Sequence, residues 1–325
     1  MAIRSGIAAQ LGFAEETTWG SYVAPTRYIE VNSFAMKNNI ERLESAAIRA
    51  NNRVQRQDRW AASPKGITGS AEIEVVNKGM GLLFKHMLGQ AAISTPSGAT
   101  DTRLHRHTIA DLWGKGLTVQ GGIPDVSGTV QPFSWLGCKV ADWTLSNDVD
   151  GLLMLSLNLD GATETTAQSL GSASYATGLE MMSWAGGAIT IGGSSQQISS
   201  FSLSGNNGLK TDRYAIRGDS AKKEPIPAAL VELTGSMEME FENLTQYNRF
   251  VNGTIAAVTA TWTGTVIEGA FNYKVTVTLP AVRFDGETPE VGGPDVVMLP
   301  LTFKVLFDGS NEPITIDYHT TDTAS

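Results

Sequence analysis

The chain has 325 residues, enough for about two domains of ordinary size. Apolar residues make up 42%, so a core can be buried, and the net charge of −9 argues against gripping a phosphate backbone, which needs basic patches. Cys138 is the single cysteine, which excludes an intrachain disulfide, and no window approaches the ~20 apolar residues of a membrane helix. The run from Gly6 to Ala14 is broken by Gln10 and followed by Glu15-Glu16, a poor signal peptide, so synthesis in a cytosol is expected. High Gly, Ser and Thr content with many short alternating runs reads as mainly β.

Residues 1–27 read as an irregular arm with a turn at Trp19-Gly20 and Pro25. A strand is expected from Tyr28 to Met36, with Ile29, Val31 and Phe34 inward and Asn38-Asn39 ending it. Residues 41–65 lack a clean period and are rich in arginine. A structureless stretch of about 25 residues is uncommon in a compact domain and usually functional; a plain solvated loop is the alternative. Gly69-Ser70-Ala71-Glu72-Ile73-Glu74 then alternates with period two, so Ala71, Ile73 and Val75 face a core and Ser70, Glu72 and Glu74 face water or a wet cavity. Asn77 is a candidate cap for a helix with an apolar stripe of Leu82, Leu83, His86 and Met87, stopped by Gly89. Strands are expected at Leu104–Ile109, Leu117–Gln120 and Phe133–Trp135. A hairpin, Val140–Ser146 with Leu152–Asp160, turns around Asn147 to Gly151, and Gly161 to Ala176 reads as a polar linker.

The second half replays this order at an offset of about 165 residues, as a duplicated domain would. Ser200-Phe201-Ser202-Leu203 answers Ser33-Phe34-Ala35-Met36, and Asn206-Asn207 answers Asn38-Asn39. A charged loop follows from Lys210 to Pro227, with Tyr214-Ala215-Ile216-Arg217 against Ala46-Ala47-Ile48-Arg49. Gly235-Ser236-Met237-Glu238-Met239-Glu240 repeats the acidic strand. A helix capped by Asn243 carries Leu244, Tyr247, Phe250 and Val251 on one side and stops at Gly253. Long strands are expected at Phe271–Leu279 and Val296–Phe307, then a tail strand Ile314–Tyr318; Phe307-Asp308-Gly309 matches Leu159-Asp160-Gly161.

Few motifs carry chemistry. Gly79-Met80-Gly81 has Phe84 where a dinucleotide fingerprint needs its third glycine. His105 and His107 share a strand face without a third metal ligand and read as a surface pair. Asn147-Asp148-Val149-Asp150-Gly151 lacks the later glutamate of a calcium loop and reads as a turn. Cys138 reads as a small core residue. Glu72/Glu74 and Glu238/Glu240 have the spacing of acid–base carboxylates, about 7 Å between Cα atoms, but no aromatic shares their face to hold a sugar. A solvated strand face is the simpler alternative. No cofactor, metal site or enzyme activity is expected.

The run Gly6 to Gly20, the segment Ile40-Glu41-Arg42-Leu43-Glu44-Ser45, Asn77-Lys78-Gly79 through Leu88-Gly89, and Gly205 through Tyr214 resemble the major tail tube proteins of long-tailed, siphovirus-type bacteriophages, over most of the chain. The resemblance implies β-sandwich domains with a flanking helix. Six such domains close a ring whose inner strands form a shared β-barrel, and rings stack through loops and arms. An electronegative lumen passes the genome into the host without specific binding. It also implies a virion tail component assembled in the host bacterial cytoplasm, without membrane insertion. Its partners would be other copies of itself, a tape measure protein inside the lumen and tube-end proteins.

On that reading the chain is two tandem sandwich domains, 1–165 with the N-terminal arm and 177–325. Two domains per chain need only three chains for a six-domain ring. A homotrimer with pseudo-sixfold symmetry is therefore expected; a hexamer with one domain lining the tube and the other decorating it is the competitor. Glu72, Glu74, Glu238 and Glu240 are the expected lumen residues. Arg42, Leu43, Ile48, Arg49, Arg53 and Trp60 in one loop, and Arg213, Ile216 and Arg217 in the other, are the expected inter-ring contacts. A non-tubular surface adhesin or glycan-binding module is the main rival; the dispersed tryptophans, read as mostly inside apolar strand runs, argue against it.

Overall fold

A computed structural model of the protein describes residues 5–216, 218 and 221–325, so Arg217 lies outside the described residues. The chain is mainly β, with two short α-helices among the described residues. The first half runs β1 (Gln10–Glu16), β2 (Arg27–Tyr28), β3 (Ser33–Glu44), β4 (Trp60–Glu74), α1 (Gly81–Leu88), β5 (Gly89–Ser94), β6 (Arg103–Ile109), β7 (Gly116–Pro124), β8 (Val130–Asp148), β9 (Met154–Gly161) and β10 (Thr163–Thr165). The second half runs β11 (Gly187–Ile191), β12 (Ser194–Gln196), β13 (Ile198–Asn206), β14 (Leu209–Lys210), β15 (Ile226–Pro227), β16 (Glu232–Glu240), α2 (Leu244–Asn252), β17 (Ala256–Glu268), β18 (Phe271–Gly286), β19 (Met298–Val305) and β20 (Thr315–Thr320).

The ladders pair in the same order in both halves. One layer is β1-β7-β8-β10 in the first half and β11-β17-β18-β20 in the second. The other is β3-β4-β9-β8 in the first and β13-β16-β19-β18 in the second. In each half one long strand, β8 or β18, serves both layers. Register fixes the repeat residue by residue: Met36 opposes Gly69 as Leu203 opposes Gly235. That agrees with the match of the first strands. It corrects the match of Phe307-Asp308-Gly309, because Gly69 faces Leu159 and Gly235 faces Phe303, so Phe303 is the counterpart of Leu159.

The halves are fused rather than strung together. β13 pairs along β8, joining the two four-strand blocks into one eight-strand sheet, β3-β4-β9-β8-β13-β16-β19-β18. An inward-facing row crosses seven of these strands, Ile73, Leu155, Leu145, Leu203, Gly235, Phe303 and Phe284, and all but the half-buried Gly235 are buried. Each large member contributes about 1.5–3 kcal/mol by burial. The glycine belongs there because a Cβ at 235 would lie 2.3 Å from the Phe303 ring; Gly205 likewise makes room for Trp143, whose ring would meet a Cβ at 2.4 Å.

Several expectations change. The strand read at 28–36 is two pieces, β2 and β3, with 29–32 between them. Asn38-Asn39 does not end β3. The ladder skips one residue between Asn38 and Ile40 and continues to Glu44 opposite Trp60, so only residues 45–59 form a loop. Beyond this bulge residues 40–44 and 60–62 are exposed on both faces, so no apolar alternation marks the hairpin in the sequence. Phe133–Trp135 and Val140–Ser146 are one strand, and Gly161 to Ala176 contains β10. The turn at Asn147 to Gly151 forms as expected, with Asp150 at φ 62.

The helices differ from each other. Asn243 caps α2 by accepting from the Thr245 N–H at 2.8 Å, and Gly89 and Gly253 end the two helices in the left-handed region, as expected. Asn77 does not cap α1. It is buried, donates to the Gly178 carbonyl and accepts from the Glu180 N–H, while Met80 stands at the cap position. The expected α1 stripe is buried, and so is nearly all the rest of the helix. The hairpin β5–β6, which has no counterpart after α2, covers α1 together with β20, the C-terminal strand, which pairs with β6. α2 lacks that cover, so its expected stripe is not buried: Leu244 and Val251 are exposed. His105 and His107 are not surface residues but lie fully buried between this hairpin, α1 and Tyr318.

Candidate functional site

The face of the eight-strand sheet opposite the apolar row is mainly polar. Following the register from β4, one row reads Glu72, Ser156, Thr144, Ser204, Thr234, Lys304 and Arg283. The next reads Glu74, Met154, Ser146, Ser202, Ser236, Thr302 and Asp285. Alternation along β16 puts Thr234, Ser236, Glu238 and Glu240 on this same face, with Glu238 opposite Ser200 and Glu240 opposite Met298. Both Glu-x-Glu segments therefore lie on one surface. Ser200 faces Asp148, and a further row runs from Asn158 through Asp142 and Asn206 to Glu232.

Acids outnumber bases across this surface. Glu72, Glu74, Asp142, Asp148, Glu232, Glu238, Glu240 and Asp285 stand against Lys37, Arg283 and Lys304. Two of the bases are already matched, Arg283 to Asp285 at 2.9 Å and Lys304 to Glu232 at 2.5 Å. Three of the remaining acids are held by hydroxyls and amides: Ser33 donates to Glu72 at 3.1 Å, Ser199 to Glu238 at 3.4 Å and Asn158 to Asp142 at 2.5 Å. Short Ser and Thr side chains between them leave the floor flat. Sequence reading found the four glutamates from their alternation but not this hydroxyl lining, because no single strand shows that its serines join those of six others.

The arms stand at the edge of this sheet. β3 and β4 project as a hairpin beyond the core, with Arg42 over the Trp60 ring at 5.3 Å. Leu43 and Trp60 are over half exposed, Ile48 is 99% exposed, and Arg49 and Arg53 are exposed at the tip. In the second loop Ile216 is fully exposed, but Arg213 is half-buried and donates to the Glu224 carbonyl. That loop is tied down at its base. Lys222 reaches Asp160 at 2.5 Å, Glu224 reaches Lys139 at 2.7 Å, and Tyr214 donates to the Lys65 carbonyl at 2.6 Å. These long-range pairs have no local sequence signature.

Nothing in the face resembles a catalytic constellation. No cluster of three metal-ligating side chains occurs among the described residues, and no helix there is long and apolar enough to cross a membrane. Cys138 is fully buried, and burial raises its thiol pKa well above the ordinary value, in keeping with a core role. Trp135, Trp143 and Trp262 are buried as expected, whereas Trp60, Trp113 and Trp184 are largely exposed.

No curated protein shows significant similarity to the chain. The family model of phage tail tube proteins, by contrast, matches residues 6–305, nearly the whole chain. With a mainly β chain, built as a repeated ladder order around a polar sheet face, this match makes the protein a member of the phage tail tube protein family.

Proposed function

We propose that three copies of this chain close a ring of six sandwich domains, 1–165 and 177–325 in each copy, and that stacked rings form the conduit through which a long-tailed phage ejects its genome. The polar face of the eight-strand sheet lines the lumen, with Glu72, Glu74, Glu238 and Glu240 among its charges. The carrying observation is that both acidic segments lie on one face of a sheet in which, among the described residues, the outer edge of β3 and one side of β18 beyond Val282 have no ladder partner.

Stagger supports closure. Glu72 is the counterpart of Glu238, yet its row meets Thr234, so equivalent positions climb four residues per four strands. That is roughly 13 Å of rise over roughly 19 Å of sheet, a tilt of about 35°, within the range that closed barrels need. Closure also removes the hazard of unpaired edges. An acidic, hydroxyl-rich wall repels phosphates and offers DNA nothing to grip. The tape measure protein would occupy the same lumen during assembly in the host cytoplasm, and tube-end proteins would cap the stack. The chain acts as a scaffold, not as an enzyme.

A cross-section of assembled tubes tests the count: three chains per ring is expected, and six would overturn the trimer. Reversing Glu72, Glu74, Glu238 and Glu240 to lysine should leave tubes of normal length but slow DNA passage through phosphate attraction. Ejection kinetics equal to wild type would remove these residues from the lumen.

The hairpin tip and the loop that carries Ile216 reach toward the next ring. Exposed charge pairs there are worth only about 0–1 kcal/mol each, so the apolar tips Ile48, Val54 and Ile216 carry most of the contact. Deleting residues 46–58 should leave a folded subunit, with an almost unchanged melting temperature, that no longer polymerises. Tubes formed by the deleted chain would refute the stacking role.

A further inference from the structure

The two halves of one chain meet in the ladder between β8 and β13. In it Asp142 of β8 faces Asn206 of β13, Thr144 faces Ser204 with their hydroxyls 2.8 Å apart, and Ser146 faces Ser202. Just past β13, Asn207 donates its side-chain amide to the carbonyls of Met87, at the end of α1, and Val140, at 3.0 and 2.9 Å. β3 is the counterpart of β13, and the end of β18 is the counterpart of this part of β8. Asp142 faces Asn158 beside Ser70, as Asp285 faces Thr302 beside Ser236. Among the described residues the outer edge of β3 has no ladder partner, and neither does the free side of β18 beyond Val282.

We propose that a second copy of this chain fills these edges, with β3 of one chain running antiparallel to residues 285–291 of the next. The register is Asn39 opposite Asp285, Lys37 opposite Glu287 and Ala35 opposite Pro289. This deepens the ring reading above and rests on it.

Three features of the free surfaces fit this register. Lys37 and Glu287 are both exposed, and neither makes an ion pair among the described residues. At the seam they stand where Thr144 and Ser204 meet, so a charge pair replaces a hydroxyl pair. Ile40 takes the place of Asn207, and Val251 takes that of Met87, two residues before the glycine that ends its helix. Both are exposed, at 44% and 56%, and their contact replaces an amide–carbonyl bond with apolar burial. It also gives the uncovered α2 a partner. Finally, the bulky Trp143 opposite Gly205 becomes Gly286 opposite Asn38, so the sizes reverse without crowding. Pro289 falls near the end of the added ladder, where a missing N–H is tolerated.

Directly opposed strand residues bring their Cα atoms within about 4.5–5.5 Å, inside disulfide range. The double variant Lys37→Cys/Glu287→Cys, assembled into rings and mildly oxidised, should therefore run as a covalent trimer on a non-reducing gel. Cys138, fully buried, adds no background. Lys37→Cys/Thr288→Cys, whose side chains face opposite sides of the sheet, should remain monomeric on the same gel. Three-chain rings that cross-link only in this second variant, or in neither, would overturn the register and leave the ring reading intact. Lys37→Glu should reduce ring yield, and Lys37→Glu/Glu287→Lys should restore it; failure to restore counts against the pair. A wild-type chain that forms no rings under the microscope would sink the ring reading and the seam together.

Discussion

Replacing Lys222 with methionine should cost about 3–5 kcal/mol of stability, the usual penalty for stranding one partner of a buried ion pair. The Lys222 ammonium lies 2.5 and 2.6 Å from the two oxygens of Asp160, and both side chains are nearly closed off from water. The lysine belongs to the second-half loop and the aspartate to β9, so the pair fastens one half onto the other. Burial outweighs the lysine and raises the Asp160 pKa above its ordinary value. Without the lysine it should rise further. The sign of the pH dependence follows. A carboxyl with a raised folded pKa binds its proton more tightly folded than unfolded, so the variant's deficit is largest at neutral pH and shrinks on acidification. The double variant Lys222→Met/Asp160→Leu should recover most of the loss, because apolar groups of similar size can replace a buried pair at little cost. Urea denaturation of the three variants measures this. A single variant as stable as wild type would show that the pair fastens nothing.

Much of the sheet was legible because burial is one-sided. Ala71, Ile73 and Val75, and Met237 and Met239, are buried, as their alternation implies, and the intervening glutamates are not. What failed did so where neighbours distant in sequence decide burial. α1 reads as an amphipathic helix, yet seven of its eight residues are buried because β5–β6 and the C-terminal strand cover its outer side. α2 carries the stronger apolar stripe, yet Leu244 and Val251 stay exposed while Tyr247 and Phe250 are half-buried, since among the described residues no hairpin like β5–β6 covers its outer side. In β17 the buried Val258, Ala260 and Trp262 alternate, but the threonines and glycine among them blur the strand pattern. Of the candidate site, the four glutamates were visible from alternation alone, whereas their placement on one shared face needed the β8–β13 register.

Fusion of the halves has a mechanical consequence. The seam along β8 and β13 is a ladder of seven residue pairs within one polypeptide, so half of the lateral seams in a three-chain ring are covalently tethered. Such seams pay no association entropy, which leaves only the seams between chains to set ring stability. Duplicating and fusing a domain thus halves the contacts that must form between molecules, at the expense of strict sixfold symmetry. The halves do differ: β5–β6 follow α1 in the first, whereas α2 in the second has no such hairpin and, in the proposed ring, would meet the neighbouring chain.

Acidification should destabilise the subunit steeply between pH 6.5 and about 4.5, by roughly 1.4 kcal/mol per pH unit for each imidazole that must stay neutral when folded. Burial first, then the charges of Lys85, Lys115 and Lys139, lowers the His86 pKa to about 3; Glu15, 3.8 Å from Nε2, opposes them. Burial first, then His105, lowers His107 to about 3 against the favourable backbone of Gln90. A base with a depressed folded pKa takes up protons preferentially when unfolded. Stability is therefore complete above the unfolded value near 6.5 and falls as pH drops toward 3. Two such groups give a slope near 3 kcal/mol per pH unit, enough to consume a total stability of about 5–15 kcal/mol within a few units. The window above pH 4.5 isolates the histidines from exposed carboxylates such as Glu268, whose pKa, held at about 2 by backbone N–H groups of residues 100–102, adds its own loss only below its ordinary 4.5. His86→Leu/His107→Phe should keep near-wild-type stability at pH 7.5 and flatten the slope of urea midpoint against pH. The first elements to loosen should be the β5–β6 hairpin and the C-terminal strand, where His105 contacts the Asp322 carbonyl at 2.8 Å, so hydrogen exchange there should rise before the inner sheet opens. A midpoint that stays level from pH 6.5 to 4.5 in the wild type would mean that these imidazoles are reached by water and carry none of this dependence.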